Sequence, residues 1–348
     1  MTEAICITKE KINALEGIIR RAKKIAVLSH MNPDGDAVGS CAAVASYLSE
    51  ACGKDVKVVL PNAPGEPLAF ITKRIPQDRL LIHAKSPEAA EKAIEDAEAI
   101  LVLDLNRLER VSSEESAVRR AKAPKVLIDH HIGPEAEAFG LVFSKTDVSS
   151  ACELIYQILM EIVGDARKLP PTCAYALMCG MTTDSNNFAN SVFPTTLQMA
   201  SALLEAGVDR DGIVESAFNS YRTNRIRLLG HMLDQRLHVT PEGAAWMILT
   251  KEIKERFDYR DGETEGFVNV PLTAKDIRLS IFLSEEDDRF RVSIRSKKGT
   301  SARDLAGRFF NGGGHENASG GRLLVPDDLP EKGDVEAYVE NALKEYLK

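Results

Sequence analysis

The sequence predicts an α/β protein in two domains: an N-terminal domain on a mostly parallel sheet, and a smaller C-terminal α/β domain. Three observations predict it. Apolar runs alternate with helical patterns from about residue 25 to 130, the next stretch is helical, and past residue 236 the pattern turns to hairpins. The chain's 348 residues suffice for two hydrophobic cores. Its 44% hydrophobic and 28% charged residues are ordinary for a globular protein.

The runs KIAVLSH (24–30), DVKVVLP (55–61), AILVLDL (99–105) and KVLIDHH (125–131) are short, rich in Val, Ile and Leu, and not alternating. That is the pattern of buried parallel strands. Helical patterns at 37–52 and 86–98 separate them, the second with Ser86 as N-cap and Pro87 at the first helical position. Helices are expected over 149–163, 171–182, 194–207 and 211–235. LHVTPEGAAWMILT (237–250) is a hairpin turning at Pro241, Glu242 and Gly243, and the segment 276–296 is a second one turning at 285–288. A helix at 301–310, a glycine-rich loop and a terminal helix at 334–347 follow. The expected division is a first domain over 1–207, a helical linker over 208–235 and a second domain over 236–348, with no internal repeat.

A net charge of −8 excludes a globally basic nucleic-acid binder, but not a small anionic substrate held by a local basic patch. Cys6, Cys41, Cys52, Cys152, Cys173 and Cys179 form no C-x-x-C pair and are expected to be reduced thiols of a cytosolic protein. MTEAICITKEK lacks the apolar core of a signal peptide, and no apolar run approaches the ~20 residues of a membrane span. A cytoplasmic protein without membrane contact is expected.

Acidic and imidazole groups gather at strand ends. LSHMNPDGDAVGS (28–40) puts His30, Asp34 and Asp36 on a turn after the first strand; Asp104 ends ILVLD; Asp129, His130 and His131 end KVLID; Asp184 follows an apolar segment. In open α/β sheets these ends converge on one crevice. Carboxylates so close raise each other's pKa unless a cation lies between them. Singly, each has a plainer reading: a strand-end Asp is a common turn or capping residue, and a lone His is commonly structural. NPDGD also reads as an Asx turn. An EF-hand is excluded, because the glycine position and final glutamate are missing. It is the coincidence of four clusters at one topological position that points to a metal site.

HMNPDGDAVGS, Asp104, the DHH at 129–131 and the TTDS around Asp184 resemble, in order, the four motifs of the DHH phosphoesterases, and GGGHENASGG (312–321) after VSIRSKKG (292–299) resembles the companion DHHA1 domain. The likeness spans the whole chain and is nearest the oligoribonuclease (nanoRNase) and adenosine-bisphosphate phosphatase subgroup. It implies two Mn²⁺ per active site, with Mg²⁺ or another divalent cation also open: His30 and Asp34 on one, Asp36, His130 and Asp184 on the other, Asp104 bridging. Imidazole mixed with carboxylates suits Mn²⁺ better than all-oxygen Mg²⁺ or thiolate-bound zinc. Asp129 then orients an imidazole, and His131 contacts phosphate or protonates the leaving oxygen. The chemistry is metal-assisted hydrolysis with no protein nucleophile. One departure is TDSNNF, with Asn186 where many members have the glycine of TDTG.

From Arg289 to Arg322 the chain carries Arg291, Arg295, Lys297, Lys298, Arg303 and Arg308 against only Asp304 and Glu316. A solvated strand face is the plain reading; a grip on anionic substrate is the functional one. Gly312, Gly313 and Gly314 let backbone approach an anion, though as neither a Walker nor a Rossmann loop. The resemblance adds Arg295, Ser296 and His315 to the substrate-binding set. Arg110 is either a phosphate contact or a surface arginine. The expected partner is short RNA or a nucleotide held in a cleft between the domains; a homodimer is left open. Cyclic di-AMP or its linear product is the alternative substrate. An inactive binding protein is disfavoured by the complete ligand set, and a RecJ-type exonuclease by small size and few aromatics.

Overall fold

The computed structural model of the chain describes residues 7–347, so Cys6 lies outside the described residues. Two compact units form, Met1–Ser220 and Tyr221–Lys348, dividing inside the stretch expected to be a linker.

Unit 1 runs α1 (Lys9–Arg21), β1 (Lys24–Leu28), α2 (Gly35–Ser46), β2 (Asp55–Leu60), α3 (Ala69–Thr72), β3 (Leu80–Ile82), α4 (Pro87–Glu95), β4 (Ala99–Leu103), α5 (Glu115–Arg120), β5 (Lys125–Asp129), β6 (Leu141–Ser144), α6 (Ala151–Val163), α7 (Pro171–Asp184), α8 (Pro194–Glu205) and α9 (Arg210–Phe218). Its six strands are all parallel in the order β3-β2-β1-β4-β5-β6. Chain direction along the sheet therefore reverses between β1 and β4, where a crevice opens beyond the carboxyl ends. All four expected strands are present. The added edge strands β3 and β6 are three and four residues long, too short to show a periodic signature. Also unforeseen is α1, which buries Ile12, Leu15 and Ile19 behind an N-cap at Thr8. One apolar layer packs α2, α6 and α7 on one face of the sheet; α4 and α5 cover the other.

Unit 2 comprises α10 (Thr223–Gln235), β7 (His238–Val239), β8 (Ala244–Leu249), α11 (Lys251–Arg256), β9 (Leu279–Glu285), β10 (Arg289–Ser296), α12 (Ala302–Phe309), β11 (Gly313–Gly314), β12 (Ala318–Leu324) and α13 (Val335–Tyr346). The helix expected over 211–235 is two helices. Arg222, extended at φ −67° and ψ 151°, separates them, its guanidinium held by Glu263 at 2.8 Å and Asp258 at 2.7 Å. Both expected hairpins form, in a second six-stranded sheet ordered β11-β12-β10-β9-β8-β7. The glycine-rich loop, by contrast, is largely the hairpin β11–β12. A Cβ on Gly312 would lie 2.0 Å from Gly320 O, and one on Gly321 2.2 Å from Phe310 O. These glycines answer to backbone packed against backbone.

Among the described residues, all five cysteines are free thiols, and no helix is long and apolar enough to cross a membrane.

Candidate metal centre

The end of β1 is tied to β4 by Ser29 Oγ, which donates to Leu103 O at 2.9 Å. The chain then turns through His30, whose Nδ1 donates to its neighbour's carbonyl, Met31 O, at 2.9 Å. A carbonyl only accepts, so this bond places the proton on Nδ1 and leaves Nε2 for the site. That Nε2 faces Asp104 Oδ2 at 3.5 Å and Asp34 Oδ1 at 4.0 Å. Asp34 is at once the N-cap of α2, accepting from the N–H groups of Asp36 at 3.1 Å and Ala37 at 3.0 Å. The capping and ligand readings of this aspartate are thus compatible. Left-handed Asn32 is fixed by a reciprocal amide pair with Asn62, a residue sequence reasoning missed.

Asp36, in the first turn of α2, is buried, and its carboxylate caps α6: Oδ2 accepts from Ala151 N at 2.6 Å and Oδ1 from Cys152 N at 2.9 Å. The positive end of that helix fixes the carboxylate's orientation. Glu153, fully buried, braces the same helix start by accepting from the N–H and hydroxyl of Ser149 and the hydroxyls of Thr195 and Thr196. The signal was available: Ser150-Ala-Cys-Glu153 has the spacing of a capping box, and Ser150 Oγ does accept from Glu153 N.

Asp104 is 2% exposed at left-handed φ 58°, a backbone region aspartate tolerates better than most residues. Its two oxygens face different imidazoles, Oδ2 toward His30 and Oδ1 toward His130 Nε2 at 3.5 Å and His131 Nδ1 at 3.7 Å. Oδ1 is buried without a hydrogen-bond partner. Such a carboxylate oxygen is costly unless a cation or ordered water meets it. His130 Nε2 also lies 3.7 Å from Asp184 Oδ2 and 3.9 Å from Asp36 Oδ2.

Two groups of donor atoms result, each within 4.8 Å of one another: His30, Asp34 and Asp104; and Asp36, His130 and Asp184. A third grouping joins Asp104, His130 and His131. Asp129 Oδ1 accepts from His131 Nδ1 at 2.7 Å and Oδ2 from His131 N at 3.1 Å, while Arg110 Nη1 reaches His131 Nε2 at 3.4 Å. Arg110 is anchored as well, because its carbonyl accepts from Met31 N at 2.8 Å.

The charges are frustrated without a cation. Burial first, then the charges of Asp104 and Asp184, push the Asp36 carboxyl above its usual range. Burial likewise raises Asp184 to about 7. Burial opposes charge on His30 and His130, but the adjacent Asp104 carboxylate and the other carboxylates around them win, raising them to about 9 and about 10. Burial would raise Asp104 too, yet those two imidazoles hold it well below the carboxylate range. All the raised groups are more protonated in the fold than in the open chain. Their stabilising contribution is full below the open-chain values and is lost as pH climbs through about 7 for Asp184 and 9 to 10 for the histidines. Cation binding must displace these protons. Apparent affinity for a divalent cation is therefore expected to rise at least tenfold from pH 6 to 8, roughly a decade per pH unit for each proton displaced. Calorimetric titration in buffers of different ionisation enthalpy checks this; a flat profile would contradict it.

In unit 2, Arg295 lies on the face of β10 opposite Ser296. Its guanidinium, half-buried, donates to Ile294 O at 3.0 Å and Ser319 O at 3.3 Å and lines a polar cavity of about 70 Å³ with Arg291, Ser293, Glu265 and Asn269. Burial, offset in part by Glu265, lowers its pKa. Ser296 is occupied within the fold, donating to Thr300 O at 2.7 Å and accepting from Asn317 Nδ2 at 2.9 Å. Gly313 has open space where a Cβ would be, while Gly312 and Gly314 meet backbone. His315 is exposed, and its N–H donates to Ala318 O at 2.8 Å. Of the remaining basic run, Arg289 and Arg291 face Glu286 at 2.6 Å and 3.8 Å, as a solvated strand face would.

Comparison with known proteins follows the same lines. The N-terminal domain of the DHH family matches residues 24–181, and the DHHA1 domain residues 247–342. The chain is 28% identical over 323 residues to a Bacillus subtilis protein named bifunctional oligoribonuclease and PAP phosphatase NrnA, covering 91% of this chain and 94% of that one. A Streptococcus mutans protein, named a probable bifunctional oligoribonuclease and PAP phosphatase NrnA, is 28% identical over 333 residues, covering 94% and 97%. An exopolyphosphatase-related protein from Bacteroides fragilis has a solved structure similar at TM-score 0.90 and 33% identity, covering 100% of this chain and 98% of that one.

Proposed function

The chain belongs to the DHH family and carries its DHHA1 domain, and from that premise we propose that it is a cytoplasmic two-metal phosphoesterase. It hydrolyses short oligoribonucleotides to nucleoside monophosphates, and adenosine 3′,5′-bisphosphate to AMP. The observation that carries this reading is Asp104: one buried carboxylate whose two oxygens serve two separate donor groups, one oxygen without a hydrogen bond. The donors fit a pair of divalent cations, His30 and Asp34 on one side, Asp36, His130 and Asp184 on the other, Asp104 between. Carboxylates with one imidazole per cation favour Mn²⁺. Bound there, such cations supply Lewis acidity and lower the pKa of water.

The chain's own side chains do the rest. His131, its Nδ1 held by Asp129, presents Nε2 to the Arg110 guanidinium and accepts from it, so an imidazole and a fixed cation share one spot suited to phosphate oxygens and a leaving oxygen. Arg295 supports the substrate role given to it: a half-buried guanidinium, hydrogen-bonded to carbonyls and facing Glu265 in a polar cavity, offers a charged donor to an anionic group. Ser296, Gly312, Gly313, Gly314 and His315 complete the proposed substrate-binding set.

The test is a panel in Mn²⁺: a 5′-phosphorylated diribonucleotide, a five-mer, a twenty-mer DNA, cyclic di-AMP and adenosine 3′,5′-bisphosphate. Fast monophosphate release from the dinucleotide and dephosphorylation of the bisphosphate are expected. Preferential cleavage of cyclic di-AMP would move the protein to signalling, and turnover of the twenty-mer alone would refute the reading. Arg295→Gln is expected to raise KM for the dinucleotide by roughly tenfold or more, the worth of a charge-assisted hydrogen bond, about 1.5–3 kcal/mol.

A further inference from the structure

The loop after Asp184 holds a run of left-handed backbone. Asn186, Asn187 and Phe188 are consecutive at φ 47°, 58° and 66°, and Ser191 follows at 52°. Asparagine visits this region with some ease; phenylalanine does not. Such a run persists only where its surroundings over-determine it. From within the loop, Ser185 Oγ accepts from Phe188 N at 3.1 Å, and Ser185 O from Ala189 N at 2.9 Å. From outside it, one residue grips both difficult positions. Arg210, at the start of α9, donates from Nη2 to Asn187 Oδ1 and sets its guanidinium 5.4 Å over the Phe188 ring. Its carboxylate neighbour Asp211, 3.6 Å away, is fully exposed and competes weakly for it.

We infer that Arg210 is a positioning residue: by clamping the left-handed turn at Asn187 and Phe188, it holds Asp184 at the distance from His130 and Asp36 that their shared cation requires. Arg210 touches no ligand directly and acts through the turn. The inference rests on the two-cation reading, so its test separates the two. Mn²⁺ isotherms are measured calorimetrically on the wild type, Arg210→Ala, Asp211→Ala, Asp184→Asn and the double variant of Arg210→Ala with Asp184→Asn.

The wild type is expected to bind two Mn²⁺. Arg210→Ala should weaken one of the two by roughly 10–100-fold, the usual effect of losing a residue that supports a ligand. Asp211→Ala should superimpose on wild type. With Asp184 already replaced, Arg210→Ala should add less than about threefold, because its effect passes through that ligand. A wild-type isotherm with no Mn²⁺ bound would sink the metal reading and this inference with it. Two Mn²⁺ bound identically with and without Arg210, or losses that multiply in the double variant, would overturn the inference alone. Should the alanine protein not fold, Arg210→Lys decides by the same comparison: it keeps a cation over Phe188 but loses the guanidinium fork, so weakening beyond about threefold supports the clamp and none refutes it.

Discussion

Asp104→Asn is expected to cut kcat/KM on a 5′-phosphorylated diribonucleotide by roughly a thousandfold or more, while the fold survives. Asparagine accepts the left-handed φ of 58° at least as well as aspartate and is nearly isosteric, so the end of β4 keeps its shape. What disappears is a charge with two faces. The carboxylate lies 3.5 Å from His30 Nε2 on one oxygen and 3.5 Å from His130 Nε2 on the other, and no other residue in the centre joins both donor groups. Cation-derived stabilisation of a phosphoryl transition state is worth several kcal/mol, and each 1.4 kcal/mol is a decade in rate. Asp104→Ala is the poorer test, since alanine would be strained at that φ and a folding defect would mimic lost chemistry. Activity of the asparagine protein within tenfold of wild type, with unchanged thermal unfolding, would remove Asp104 from the mechanism.

The centre was legible in the sequence because all its ligands but Asp184, which ends α7, follow strand ends, where topology does the convergence. His30 and Asp104 follow β1 and β4, neighbours at the point where strand order reverses, and His130 follows β5, next to β4. Strand runs saturated with Val, Ile and Leu announced those positions. The supports were less visible. Asn62, Glu153 and Arg210 act across long sequence separations on groups whose partners no local pattern reveals, although the Ser150-x-x-Glu153 spacing was readable. Short edge strands β3 and β6 left no period to detect. The glycine-rich segment, expected as a loop, forms a hairpin for a different reason: glycine signals both turns and close backbone approach, and backbone packs on backbone at Gly312 and Gly321.

Gly180→Ala carries the second large effect, because Asp36 and Asp184 meet only through the crossing of α2 and α7. Asp36 lies at the N-terminal end of one helix and Asp184 ends the other, so their approach is set by how closely the two backbones pack. Three glycines allow it. A Cβ at Gly35 would lie 2.2 Å from Thr183 Oγ1, one at Gly39 2.8 Å from Ala176 O, and one at Gly180 2.2 Å from Cys152 Sγ and 2.8 Å from Asp36 Oδ1. Cys152 has no room to yield, being fully buried with Sγ 3.3 Å from Ser40 Oγ. Alanine gains about 1 kcal/mol of helix propensity over glycine. Overpacking of this kind costs about 1–3 kcal/mol and forces backbone to shift. Net loss is therefore expected, with thermal unfolding lowered by several degrees, at roughly 2–4 °C per kcal/mol for a unit this size. The larger consequence falls on the cation: a displaced Asp36 carboxylate should weaken Mn²⁺ binding by at least roughly tenfold, as losing a ligand's support does. Gly230, inside α10 with nothing within 4 Å of its would-be Cβ, is the counter-case. Gly230→Ala should raise stability by up to about 1 kcal/mol and leave the Mn²⁺ isotherm untouched. If both substitutions behaved alike, helix propensity alone would account for them, and the α2–α7 crossing would not be what sets the distance between the two carboxylates.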